Sequence, residues 1–209
     1  MPPVTGTIPY PWPYDADADA DSGPGPDRYA LLLTGVQRQW SSLGADGGLD
    51  RIEAFTATLR ALGVLVVTVR HGRPAGIASR ARGLPIVGTR EWELVLPPEP
   101  TDLVVDTTGY DGFAAGWLDR ELRAHERDHL LLAGLGAELF LDTTLRSAND
   151  RGYECLTLTD LAVPFDAALG ARVLDSVTMS GGIFGALGTS GAVLDALRPT
   201  TEVALSGHS

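Results

Sequence analysis

The sequence predicts an α/β fold, a doubly wound parallel sheet flanked by helices on both faces. Three observations carry this reading. Apolar runs of strand length recur five times, stretches with apolar residues at helical spacing lie between them, and polar or glycine-rich segments follow several of the runs.

The first run, Tyr29–Thr34, is unbroken by charge and reads as a strand buried on both faces. Residues 64–69, 103–105, 129–133 and 154–158 repeat the pattern. After the first of these runs, Asp50 with Glu53 three residues on predicts an N-cap and capping box. Ile52, Phe55, Leu59 and Leu62 then make one apolar stripe that Gly63 ends. Residues 117–124 and 139–149 read as further helices, and the glycines from 181 to 191 as a turn before the last one. Strands alternating with helices imply βαβ units. Ligands of such folds sit at the carboxyl ends of the strands, which directs attention to residues 35–37, 106–111 and 134–140.

At 209 residues with 44% apolar content, the chain suits one α/β domain over residues 28–199. Residues 200–209 read as a frayed tail. Residues 1–27 form an arm rich in proline and aspartate, with an Asp-Ala alternation from Asp15 to Asp21. Within it Tyr10, Trp12 and Tyr14 alternate with prolines, so a stiff extended segment would carry aromatic groups able to dock on a folded surface.

A net charge of −11 disfavours nucleic acid and anionic membrane surfaces, which both need a cationic footprint. Small-molecule or protein partners are expected. Cys155 is the lone cysteine, the N-terminus lacks a signal-peptide pattern, and no apolar run reaches the roughly 20 residues of a membrane helix, so a soluble cytoplasmic protein is expected.

Three strand ends carry a family resemblance. The run Ala30 to Thr34 with Gly35-Val36-Gln37 is similar to the first strand of isochorismatase-like cysteine hydrolases, which ends in Asp, an apolar residue and Gln. Gln37 matches, and Gly35 stands at the aspartate position. The segment Val105-Asp106-Thr107-Thr108-Gly109-Tyr110-Asp111-Gly112-Phe113 resembles the strand that delivers the family lysine, with Thr107 in its place. Gly134-Leu135-Gly136-Ala137-Glu138-Leu139-Phe140 resembles the turn that holds the nucleophilic cysteine, with Phe140 in its place. Ala148-Asn149-Asp150-Arg151-Gly152-Tyr153-Glu154-Cys155, Gly181-Gly182-Ile183-Phe184-Gly185 and the Pro9 to Asp15 segment resemble the biuret and ureidoacrylate amidohydrolase branch. Residues 70–93 are shorter than that branch's covering loop.

The resemblance implies a Rossmann-like three-layer sandwich. It also implies a reaction in which a thiolate attacks an amide carbonyl, an aspartate moves protons, a lysine favours the thiolate and backbone amides hold the oxyanion. Phenylalanine has no nucleophilic atom, glycine exchanges no proton and threonine carries no positive charge, so that mechanism is not expected here. Cys155, inside an apolar run, reads as a core residue. Thr143 and Thr144 lack an evident base and read as structural.

The candidate pocket residues are Gly35, Gln37, Asp106, Thr107, Tyr110, Asp111, Gly136, Glu138 and Phe140. Among them Glu138, Asp106, Tyr110 and Asp111 are the acid-base candidates. His71 and His125 lack a ligand-spaced partner, His129 enters an apolar run and His208 lies in the tail, so no metal is expected and no cofactor. Two functions follow. One is a pseudoenzyme that acts by binding, as a non-catalytic subunit or regulator of an active relative, in a homodimer or homotetramer to which the arm contributes. The other is a repurposed, non-hydrolytic biosynthetic enzyme whose pocket, made roomier by Gly35 and more apolar by Phe140, promotes proton transfer, rearrangement or cyclisation.

Overall fold

The computed structural model describes residues 3–14, 25–76 and 83–197. The Asp-Ala alternation, the tail from residue 200 and His208 lie outside the described residues. Six parallel strands form one sheet in the order β3-β2-β1-β4-β5-β6: β1 Tyr29–Thr34, β2 Leu65–Gly72, β3 Leu103–Thr108, β4 His129–Leu135, β5 Glu154–Val163 and β6 Ala186–Gly188. The sheet changes winding direction between β1 and β4, whose register pairs Thr34 with Gly134. A crevice opens at such a reversal, beyond the carboxyl ends of the two strands.

Among the described residues five α-helices flank the sheet: α1 Gly48–Ala61, α2 Trp117–Ala124, α3 Asp142–Asp150, α4 Ala167–Met179 and α5 Ser190–Leu197. The alternation of side chains along each strand separates two apolar layers. Leu31 and Leu33 of β1 pack with Ile52, Phe55 and Leu59 of α1 on one face. Ala30 and Leu32 pack with Leu118, Leu122 and Leu145 on the other.

Several boundaries differ from those the sequence predicts. The capping box at Asp50 does not form: α1 starts at Gly48, with Gly47 as its N-cap at φ +81° and no side-chain cap. The paired glycines let the chain enter the helix earlier, and Asp50 falls in its first turn, where its charge suits the helix dipole. The helix predicted over 139–149 is instead a wide π turn, Ala137–Leu141, followed by α3. The glycine-rich segment holds β6, a strand of three residues paired in parallel with Leu156 to Leu158, too short to leave a pattern. Strand β5 runs to Val163, past a register shift opposite Leu132 and Gly134.

The aromatic segment near the N-terminus is folded against its own chain. Ile8 pairs with Leu187 through two hydrogen bonds of 3.0 and 2.8 Å and so lines the outer edge of β6. Trp12 is wholly buried, its ring 5.5 Å from Tyr29 and 5.9 Å from His129. The Tyr10 hydroxyl and the Tyr14 amide both donate to Glu154. No helix among the described residues is long and apolar enough to cross a membrane.

Candidate functional site

The crevice between β1 and β4 is where sequence and topology both place a site, and it is filled. Gly35 follows β1 at φ +66° and Gly136 follows β4 at φ +70°, conformations that favour glycine. A Cβ built on Gly35 would lie 2.8 Å from Cδ2 of Phe140, and one on Gly136 would lie 2.7 Å from the same atom. The two bare glycines therefore make the hollow that the ring of Phe140, 1% exposed, occupies.

Four aromatic side chains close around that ring. Trp40 and His71 each stand 4.4 Å from it between centroids, Tyr110 stacks at 5.8 Å and Phe165 meets it at 5.9 Å. Trp40 comes from a 3-10 segment, Arg38–Gly44, just after β1, and Phe165 from the loop after β5. The pocket expected to be roomier because of Gly35 is corrected: the room that Gly35 leaves is taken up by Phe140.

His71, near the end of β2, is wholly buried. Its Nδ1 lies 3.1 Å from the carbonyl oxygen of Gly109. A carbonyl only accepts, so Nδ1 carries the proton and donates, which leaves Nε2 as the lone-pair nitrogen. Nε2 has no hydrogen-bond partner among the described residues. Burial lowers the His71 pKa to about 4 against the opposing pull of the Gly109 carbonyl, so the ring is neutral near pH 7.

The remaining candidates are tied into the scaffold. Thr107 is buried opposite His71 in the β2–β3 register and donates to the Asp111 carbonyl at 2.9 Å. Gln37 straps the strand ends together: its amide group donates to the carbonyls of His71 and Trp92 and accepts from the His71 amide. The amides of Leu139 and Phe140 both donate to the Gly136 carbonyl at 3.0 Å, inside the π turn.

The carboxylates among the acid-base candidates are each bound into the scaffold. Glu138 accepts from the amides of Phe165 and Asp166, ahead of α4. Asp106 makes a bidentate pair with Arg70, while Asp111 accepts from the Phe113 amide and the Ser147 hydroxyl. These carboxylates serve different elements and do not converge. No group of three His, Cys, Asp or Glu side chains placed to hold a metal occurs among the described residues.

Cys155 is wholly buried on β5, and burial first, then the Glu154 carboxylate, pushes its thiol pKa up, the reverse of what a nucleophile needs. Thr144 is buried and accepts from the Gly112 amide at 3.0 Å. Sequence reasoning missed Trp40, His71 and Phe165, which have no motif. For His71 the signal was its place at the carboxyl end of the second strand, next in space to the first.

Relatives of this chain carry the names of hydrolases. The chain is 26% identical over 168 residues to ureidoacrylate amidohydrolase RutB of Variovorax paradoxus, covering 63% of this chain and 67% of that one. It is 30% identical over 156 residues to a streptothricin hydrolase of Streptomyces noursei, covering 71% of this chain and 54% of that protein. A cysteine hydrolase from Pseudomonas syringae pv. phaseolicola superposes with a TM-score of 0.76 at 23% identity, over 84% of this chain and 95% of that one. The pyrazinamidase of Pyrococcus horikoshii superposes at 0.67 and 20% identity, over 74% of this chain and 96% of that one. The sequence model of the Isochorismatase domain matches residues 29–184, and the chain belongs to that family.

Proposed function

We propose that this chain is a non-hydrolytic member of its family and acts by binding, as a partner subunit or regulator of an active relative. The residues at the nucleophile, proton-carrier and lysine positions, by resemblance, are Phe140, Gly35 and Thr107. Phenylalanine cannot attack a carbonyl, glycine cannot exchange a proton and threonine holds no positive charge beside the site. The single observation that carries the reading is the burial of Phe140 between Gly35 and Gly136 under Trp40, His71 and Tyr110. A substrate carbonyl has no room where the reaction would occur, and the turn amides that could receive an oxyanion are bonded to Gly136.

The test uses the purified full chain with ureidoacrylate and with streptothricin, the compounds for which its relatives are named. No product is expected from either. Turnover that disappears when Phe140 or His71 is replaced would overturn the reading. In a second arm the chain is co-expressed with an active family member, and a mixed assembly is expected on size exclusion; two separate homogeneous species would remove the subunit role.

A further inference from the structure

Helix α4 is apolar in composition, yet it buries only Gly170 and Val177. Those two lie about two turns apart and mark the face turned inward. The opposite face carries Ala168, Arg172, Asp175 and Met179, all exposed. Steps of four, three and four residues set them in one seam along the helix, the pattern by which one helix meets another. Met179 is 84% exposed, and Phe165 and Ile183, beyond the two ends of the helix, are 38% and 71% exposed.

The charges on this seam are not used within the chain. Arg172 and Asp175 stand one turn apart and make no ion pair or hydrogen bond through their side chains among the described residues. Charged neighbours are engaged. Arg146 of α3 pairs with Asp142 and donates to Ser176, and Asp166 caps α4 by accepting from the Leu169 amide.

Turned end for end, the seam complements itself. Reversal sets Met179 against Ala168 and Arg172 against Asp175, and one twofold axis serves both pairings because the two pairs share a midpoint, between Val173 and Leu174. A long side chain meets a short one and a cation meets an anion. The same reversal brings the apolar end at Phe165 and Leu169 over the apolar end at Met179 and Ile183. An isologous interface requires that residue i meet j while j meets i. The seam carries both halves of each pairing, which singles out a second copy of this chain as its occupant.

We infer that α4 is the interface of an isologous dimer of this chain, its two copies packed antiparallel with two Arg172–Asp175 ion pairs across the axis. One helix of about 20 Å covers less than a standard interface, so the dimer forms reversibly with concentration. The inference goes beyond the binding role proposed above and does not rest on it: hydrolytic turnover would overturn that role and leave the seam unchanged.

The test is sedimentation velocity of the full chain over a wide concentration series, where a monomer–dimer equilibrium is expected. Arg172→Asp and Asp175→Arg, both at exposed positions, should each weaken the dimer by about ten-fold, as two attractive pairs become two repulsive ones. Mixing the two variants should restore it as a heterodimer, because two carboxylates of one chain then face two guanidinium groups of the other. Recovery on mixing also shows that both variants are folded. A wild-type chain that stays monomeric throughout overturns the proposal. A dimer that neither substitution weakens overturns it as well, since the contact then lies on another face. So does a mixture no more associated than its components, because Arg172 and Asp175 then do not face each other.

Discussion

A Cβ placed on Gly35 would stand 2.8 Å from the ring of Phe140 and 2.4 Å from the carbonyl oxygen of Leu135. The glycine and the phenylalanine are thus two halves of one packing arrangement. Gly35→Ala adds the single carbon that this arrangement excludes, at a backbone φ of +66°. A loss of about 2–4 kcal/mol is expected from left-handed strain plus overpacking, read from the urea midpoint.

Phe140→Ala tests the same hollow from the other side. The side chain is 1% exposed, and truncating a buried phenylalanine costs about 3–5 kcal/mol. Denaturant unfolding should show that loss at an unchanged slope. A change under about 1 kcal/mol would mean that the ring is not packed between Gly35 and Gly136.

His71 makes stability depend on pH in a defined direction. Its pKa falls from 6.5 in the unfolded chain to about 4 in the folded one, so the unfolded state binds the proton first as pH drops. The full contribution is present above pH 6.5 and is lost as pH falls toward about 4, on the order of 3 kcal/mol in total. His71→Asn, which keeps a donor toward the Gly109 carbonyl, should flatten the curve between those values by about 1.4 kcal/mol per pH unit.

Cys155 should be silent toward thiol reagents in the native protein. Its sulfur is buried, donates weakly to the Tyr153 carbonyl at 3.6 Å and has a raised pKa. With Ellman's reagent no colour is expected at pH 8 in buffer, and one equivalent per chain in denaturant. Rapid native labelling would show that β5 opens.

The layout of the sheet was legible because its inner strands are buried on both faces, and burial writes continuous apolar runs such as Tyr29–Thr34. β6 was not, since three residues at an edge carry no periodicity. The candidate site was legible in position only. Gly35, Gly136 and Phe140 fall where strand order reverses, but nothing linear tells that one ring fits against two glycines 101 residues apart. Trp40, His71 and Phe165 come from three separate loops and strand ends, so their meeting is a property of the topology. Glu138 and Asp106 looked chemical because carboxylates near strand ends often are; their partners, the Phe165 and Asp166 amides and Arg70, became visible only in three dimensions.

The seating of Ile8, Tyr10 and Trp12 has a consequence for the order of events during synthesis. These residues leave the ribosome before any strand of the sheet, yet their partners are Leu187, Glu154, Tyr29 and His129. The pairing of Ile8 with Leu187 cannot form until residue 187 has been made. Trp12 can meet Tyr29 and His129 earlier, so the segment docks in stages, its aromatic contacts before its pairing with β6.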